Sequence, residues 1–590
     1  MILQRLSQSV SVLLLVVGWA LICITINYVM EKFIPTQFWD QWDFVSVIAS
    51  EPDVGGILKD LVKPHNEHII LTSKLLFYAD YLLFDLTNAL TIFVVNLAIV
   101  GTSALLAFIA FPERLGIPGR TLLVTGSIAA GWTLSQWENL IWGFQPQFIL
   151  VLLFGLLTLR ASVAWLDAAP RSGWVLPLTQ LLLVSLTALS LSSGVLIFLA
   201  IGFVVLARRA PLRRAAALVG PSLLFFALYL WWTSPRQSIG DPELRTTGNF
   251  LHFLLTMLGS PFTDSWVGPL VGGLLLLTAL LWFAYSVVLP WWNHRLIDAP
   301  TLLLSAFGIF ITAGLLGIAW GRTPLGPDAA LASRYCTPTM MLWLSLLLSM
   351  ARHVWLSLRG AAFAPMTLPA IVFSLLLLGW GAGTQPHHLT NLETRHRQVV
   401  QSTYFVLAGV WSNEMIRPTY PEPDKVRPLL AYLKKHGLGI FSSRSTLPMP
   451  SWSLIFAMNR LDGIDWCSRY SIDAVFRLGE NGWKVNGWAQ EPETLEFPAW
   501  LLAFDEHGRL RGFTPAMTRR PDLTHSLGAS ANMRGFSLPV GPAAADGEAS
   551  RNISIIVGFR NHAGVCRMEY KVRLPGPGGS PPPPSELGPV

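Results

Sequence analysis

The chain has 590 residues, 52% of them apolar and only 13% charged, with a mean hydropathy of +0.48. Soluble proteins carry about 25% charged residues, so a soluble globular chain is excluded, and 24 Trp with 32 Phe exclude a disordered one. The net charge of +7 would suit nucleic acid, but its placement follows membrane topology, and no nucleic-acid partner is expected.

Charge density divides the chain. Residues 1–384 hold 20 Lys/Arg and 17 Asp/Glu, whereas residues 385–590 hold 22 and 18 in barely half the length. This predicts a membrane domain over 1–384 followed by a water-soluble region. A spanning helix needs about 20 mostly apolar residues. Eleven segments qualify or come close: 9–29, 88–111, 121–136, 147–166, 174–190, 192–207, 215–232, 266–290, 301–320, 336–351 and 363–383. Ser192-Ser193-Gly194 is the only break between two of them, which predicts a tight hairpin or a broken helix there. The first segment is too long for a signal peptide and lacks a small-residue cleavage site, so it reads as an uncleaved anchor.

Alternate loops differ in charge. With the N-terminus inside, the inner positions hold twelve Arg against three acids, Glu113, Asp167 and Asp298. The outer positions before residue 385 hold eight Lys/Arg against fourteen acids. That asymmetry is the positive-inside pattern. Eleven spans from an inside start place residues 385–590 outside the membrane.

The long outer loop 30–87 carries the first candidate chemistry. Phe38-Trp39-Asp40-Gln41-Trp42-Asp43-Phe44 sets two carboxylates three apart, on one face of a helix, among interfacial aromatics. Such a carboxylate can take a proton from a hydroxyl; the plainer reading is a solvated loop flanked by Trp. Pro64-His65-Asn66-Glu67-His68 follows. His65, Glu67 and His68 could bind a divalent cation or relay protons, although so short a cluster does not define a metal site. Residues 69–84, with Lys74 and Asp80 among apolar neighbours, read as an interfacial helix.

The third segment runs into Ser135-Gln136-Trp137-Glu138-Asn139, ending at Gln145. Glu138 at the edge of hydrocarbon must face protein or a wet cavity, and pairing with an Arg competes with a catalytic role. Arg322, in Trp320-Gly321-Arg322-Thr323, and Arg334, in Ser333-Arg334-Tyr335, stand at the outer side against the inside rule. Guanidinium grips phosphate through its planar fork, so their partner is a lipid phosphate or one of the acids above.

Beyond the membrane domain, 385–464 reads as a helical or irregular connector, with an amphipathic helix over Val426–Gly437. Alternating strands separated by turns at Glu480-Asn481-Gly482 and His507-Gly508 predict a β-sandwich or jelly roll over 465–574. Trp483, Trp488 and Trp500 alternate with polar residues, the way a sandwich core is written, with a sugar-stacking platform as the second reading. The Pro-rich tail 575–590 is expected to be disordered. Cys467 and Cys566 both fall in the exported part, where an oxidising compartment favours a disulfide between them. Cys23 and Cys336 lie in or beside apolar segments, as packing.

No Walker loop, GxSxG, HExxH or CxxC motif occurs. The layout, with an Asp-bearing first outer loop, an interfacial helix, many spans and a terminal exported domain, resembles the GT-C superfamily of membrane glycosyltransferases. The strings FWDQWDF, HNEHII, SQWENLIWGFQ and SRY, with NGWAQ and RRPD in the β region, resemble a bacterial branch of GT-C-like membrane proteins over most of the chain. The resemblance implies a polytopic α-helical membrane protein of the bacterial inner membrane, GT-C-like, with about 11 spans, a cytoplasmic N-terminus and a periplasmic β-sandwich. It implies transfer of a sugar from a polyprenyl-phosphate carrier to an envelope glycan or lipid acceptor on the outer face. Asp40 matches the family's base or metal-holding Asp, with Asp43 second; Glu138 is a further catalytic candidate. Arg334 and Arg322 match residues that steady the departing lipid phosphate, with His65, Glu67, His68 and Tyr335 as further substrate-binding candidates. No resident cofactor is assigned beyond an optional divalent cation. The Asp-Glu pair of protein mannosyltransferases and the WWD-type signature of oligosaccharyltransferases are absent, which disfavours a protein acceptor. The alternatives are a flippase for lipid-linked sugars, disfavoured by the lack of a clear internal repeat, and a non-catalytic envelope scaffold whose β-domain binds glycan or a partner.

Overall fold

A computed structural model describes residues 2–112, 116–168, 175–232, 240–263, 265–358, 367–386, 388–449, 464, 466–467, 469–478, 482–490, 498–518, 520, 522, 535–541, 552–559, 565–568 and 572–573. The protein is mostly helical, with a small C-terminal β-sheet region. It divides into two compact units. The first comprises Met1–Phe33, Glu51–Phe84 and Asn88–Leu392; the second comprises Ile34–Ser50, Asp85–Thr87 and Glu393–Val590. The long first loop is therefore shared out, with Asp40 and Asp43 in the second unit and His65, Glu67 and His68 in the first.

Among the described residues, seven helices of the first unit are long and apolar enough to cross a membrane: Gln8–Lys32, Ala89–Ala110, Pro146–Asp167, Leu212–Trp232, Gly268–Trp292, Ala299–Leu325 and Ser333–Ser357. Val175–Ala188, Ser192–Ala207 and Ile371–Thr384 are shorter apolar helices, and Gly116–Gly131 is another of 16 residues. Where they are described, all eleven expected segments contain helix, but only seven meet the length and hydropathy of a span, so eleven spans are not shown. Several apolar helices of this length are consistent with a multi-pass membrane protein. At Ser192-Ser193-Gly194 the chain makes a 3₁₀ turn, Ser192–Leu196, between two helices.

Helix Ala89–Ala110 lies at the centre, touching Gly116–Gly131, Pro146–Asp167, Ala299–Arg322 and Cys336–Leu358. Arg352 locks its end: Nη1 donates to the Ala110 carbonyl at 2.9 Å, and Nε donates to Asp298 at 2.8 Å. A helix outside the eleven segments, Thr247–Gly259, packs on Gly268–Phe283. A Cβ at Gly259 would strike the Gly268 carbonyl, and one at Gly272 the Leu255 carbonyl. Small residues let the backbones approach, as is usual between membrane helices.

Among its described residues the second unit has eight strands: β1 Arg469–Leu478, β2 Gly482–Gln490, β3 Pro498–Phe504, β4 Leu510–Pro515, β5 Gly535–Val540, β6 Asn552–Phe559, β7 Val565–Arg567 and β8 Val572–Arg573. They form two antiparallel sheets, β1-β2-β5 and β4-β3-β6-β7, with β8 also on β6. Successive strand residues face opposite ways. Leu501 and Ala503 meet Val475, Val485 and Leu538 of the other sheet in one core. Leu502 and Phe504 face Val399, Val400 and Tyr404 of helix Leu389–Leu407. The β3–β4 turn is closed by Asp505, whose Oδ1 accepts from the N–H of His507 at 3.0 Å and of Arg509 at 2.9 Å, with Gly508 at φ 71. The Glu480-Asn481 turn, the short segment 451–463 and the tail 575–590 lie outside the described residues.

Cys467 and Cys566 are disulfide-bonded, with Cα atoms 4.9 Å apart. Trp500 packs edge-on against Tyr404, and Trp483 packs against the inter-sheet core, so both serve packing. The expected amphipathic helix is Pro423–His436, ended by Gly437 at φ 63.

Candidate functional site

In the first unit, Pro64 leads into a tight hairpin in which His65 and His68 exchange backbone hydrogen bonds of 2.8 and 2.9 Å. Asn66 takes the left-handed conformation, φ 50, that such a turn requires. Glu67 then stands at the tip. Its Oε1 lies 3.2 Å from His68 Nε2 and 3.0 Å from Arg322 Nη2. Arg322 is the last residue of helix Ala299–Arg322. Tyr229 Oη donates to the Glu67 carbonyl at 2.9 Å and so ties the hairpin to a third element. The hydrogen bond from His68, helped by the charges of His68 and Arg322, outweighs burial and holds the Glu67 carboxyl down at about 2. Glu67 therefore stays ionised and is a weak proton acceptor at neutral pH. His68 Nδ1, on the far side of the ring from Glu67, is buried and has no hydrogen-bond partner.

Glu138 lies in helix Trp137–Ile141 and is engaged at both oxygens. Oε2 accepts from Ser333 Oγ and from the Arg334 backbone N–H, each at 3.0 Å, and Oε1 faces Arg334 Nη1 at 3.4 Å. Asn139 Nδ2 reinforces the joint by donating to the Arg334 carbonyl at 2.9 Å and to Thr337 at 2.7 Å. Glu138 thus aims Arg334, and the pairing expected as the alternative to catalysis is what the structure contains. Tyr335 is buried, and the Arg334 guanidinium lies 5.5 Å from the centre of its ring.

The two ion pairs share an aromatic bridge. Phe144, just past the Glu138 helix, lies 5.0 Å from the His65 ring, 5.4 Å from Phe77 and 6.1 Å from Trp142. Four separate strings of the sequence therefore meet in one unit: HNEH, SQWENLIWGFQ, WGR and SRY. The Arg322 and Arg334 side chains remain 29% and 32% exposed, enough for each to reach a ligand.

Lys74 and Asp80, in helix Leu71–Phe84, are buried structural groups. Lys74 Nζ donates to Asp60 Oδ1 and to the Lys63 carbonyl, both at 3.0 Å. Burial pulls its ammonium downward while Asp60 opposes the shift. Asp80 accepts the N–H groups of Asn88 and Leu90, both at 2.8 Å, and so starts the next helix.

Asp40 and Asp43 belong to the second unit. Asp40 is the half-buried residue that opens helix Gln41–Ala49, and Asp43 is exposed in its first turn. Trp39 holds φ 50, rare for so bulky a residue, and donates its N–H to the Thr419 carbonyl at 2.8 Å. The Arg395 guanidinium lies 4.7 Å from the Phe38 ring centre and 5.7 Å from that of Trp39. Burial, then the charges of Asp43 and Asp40, push the nearby Tyr420 hydroxyl upward. A separate polar groove of about 270 Å³ in this unit is lined by Gln398 and Gln401 of helix Leu389–Leu407, by Thr514 of β4 and by Ser537 of β5.

Among the described residues, no group of three or more His, Cys, Asp or Glu side chains is arranged to hold a metal ion. His65 turns to Phe144 and His68 to Glu67, so the short cluster does not converge on one point. The residues that sequence reasoning did not single out are Tyr229 and Asn139, together with the Ser333 hydroxyl. All three act across more than 160 residues of chain, and nothing local signals such partnerships.

No protein-family model matches the chain, and no curated protein does either.

Proposed function

We propose that this protein is a membrane glycosyltransferase of GT-C type, moving a sugar from a polyprenyl-phosphate carrier to a glycan or lipid of the bacterial envelope. In this reading it resides in the inner membrane with its N-terminus in the cytoplasm and its second unit in the periplasm. The observation that carries the reading is the presence of two carboxylate-held arginines, Arg334 and Arg322, in one helical unit. Two oriented, accessible guanidinium groups suit a phosphate, which accepts bidentate hydrogen bonds.

The reaction follows from the charges. An acceptor hydroxyl oxygen attacks the anomeric carbon. The bond from that carbon to the phosphate oxygen breaks, and its electron pair stays on the phosphate. Arg334, fixed in direction, stabilises the charge that builds there, while Arg322 binds the phosphate in ground and transition state alike. Glu138 and Glu67 are positioning residues that hold these cations. The acceptor proton needs a base; the GT-C resemblance offers Asp40 and Asp43, and the unit that holds the two arginines offers His68, beside Glu67.

Membranes carrying each variant separate the two bases. Asp40→Asn is expected to reduce transfer at least 100-fold, as loss of a general base does, while His68→Gln lowers it less than tenfold. The opposite ranking moves the proton to His68. If both variants transfer sugar at the wild-type rate, neither is the base.

A second reading has its own observation, the polar groove of the second unit. Hydroxyl and amide groups there suit a sugar chain, as in a non-catalytic glycan-binding scaffold. Glycan binding by the protein that survives Arg334→Gln but is lost with Gln398→Ala and Gln401→Ala, with no sugar transfer by the wild type, would favour it.

A further inference from the structure

The arginines at the other end of the first unit fall into two kinds that charge counting cannot separate. Arg208 donates to the Ile297 carbonyl at 2.8 Å and pairs with Asp167 at 3.1 Å. Arg214 donates to the Leu166 carbonyl at 3.1 Å and so caps helix Pro146–Asp167. Asp298 is taken by Arg352 at 2.8 Å. These groups consume the neighbouring carboxylates and serve the fold.

Arg209, Arg213 and Arg295 are different. All three are exposed, and among the described residues none has a carboxylate partner. They stand on two segments that touch. Arg209 Nη2 donates to the Trp291 carbonyl at 3.2 Å, and its guanidinium lies 5.9 Å from the Trp291 ring centre. Arg208 meets Ile297, so Arg295 lies between the two contact points. Arg209 at φ 49 and His294 at φ 55 both hold the left-handed backbone that side-chain-bearing residues avoid. Such strain persists where the surroundings, or a ligand, reward it. Trp291 and Trp292 are exposed beside this charge, where interfacial tryptophans sit at headgroup level.

We propose that this double loop, 208–214 with 291–297, is a binding site for the headgroup of an anionic phospholipid. Arg209, Arg213 and Arg295 hold the phosphate, and Trp291 with Trp292 lie against the glycerol and the start of the acyl chains. Among the described residues these cations have no carboxylate partner, and a lipid phosphate is the abundant anion at the end of spanning helices. A bound lipid would bridge helices Leu212–Trp232 and Gly268–Trp292, which each bury little of their surface in protein. The site is independent of sugar transfer.

The test is native mass spectrometry of the purified full chain in detergent, with phosphatidylglycerol and phosphatidylcholine added at equal concentration. Wild type is expected to retain phosphatidylglycerol selectively. Arg213→Gln with Arg295→Gln should weaken that retention about thirtyfold, the loss of two interfacial charges. Arg245→Gln, on a different loop beside Trp320, should leave it unchanged and serves as the folding control. Equal retention of the two lipids, or a double variant that binds like wild type, overturns the proposal. Displacement of the lipid by millimolar inorganic phosphate would make this a site for free phosphate and would overturn the lipid assignment.

Discussion

Glu138 and Glu67 each hold an arginine in the first unit, by different means. Glu138 is 15% exposed and spends its oxygens on a hydroxyl, a backbone N–H and a guanidinium, all from Ser333 and Arg334. Glu67 is 43% exposed, stands on a hairpin tip, and shares one oxygen between His68 and Arg322. The first pair joins two segments 196 residues apart through main chain as well as side chain. The second is a contact between two side chains, screened by solvent. Arg334 is thus fixed in direction, whereas Arg322 can adjust to what it binds.

Removing each partner tests that contrast. Glu138→Ala leaves Arg334 and Ser333 without their acceptor. It should destabilise the protein by about 2 kcal/mol, the cost of leaving half-buried donors without their acceptor, read as a fall in the thermal unfolding midpoint in detergent. A midpoint within a degree of wild type would put Glu138 on the surface energetically. Arg322→Gln should leave that midpoint in place and raise KM for the lipid-linked donor roughly tenfold with kcat nearly unchanged, the mark of lost uniform binding. A fall in kcat instead would give Arg322 a part in the transition state.

The smallest effect is a pH dependence. The Glu67 carboxyl is lowered from 4.5 to about 2 in the folded state. Its contribution to stability is complete above about pH 4.5 and is lost as the pH falls toward about 2. Exposure of the side chain limits that contribution to about 1 kcal/mol. Unfolding midpoints of wild type and Glu67→Gln should therefore differ at pH 6 and converge near pH 2. A constant difference across that range would show that the carboxylate charge contributes nothing there.

Much of the fold was legible because its signals are local. Apolar runs give the helices of the first unit, and the alternation of 471–476 and 500–504 gives β1 and β3. Helix Thr247–Gly259 escaped because thirteen residues bearing Asn249 and His252 fall short of a span. β5 escaped because Pro539 interrupts a six-residue run; the strand tolerates it at the edge of its sheet.

The candidate site was legible as residue types and not as partnerships. Arg322 and Arg334 called for acids, but only the fold selects Glu67 for one and Glu138 for the other. Nor could spacing reveal that Ile34–Ser50 folds with the second unit. There Thr36 meets Thr403 at 2.6 Å, Gln37 donates to the Leu86 carbonyl at 2.6 Å, and Ile34 joins the cluster under β3 and β6. Those contacts span up to 367 residues of chain.

The most direct measurement compares cells lacking the gene after complementation with wild type or with Arg334→Gln, at matched protein levels. Surface glycans and lipid-linked sugars are both quantified. The account predicts that Arg334→Gln accumulates the lipid-linked sugar and loses the glycan substituent, with transfer down about 100-fold or more, as for loss of one transition-state donor. Wild-type glycan and no accumulated carrier in the Arg334→Gln cells would contradict it.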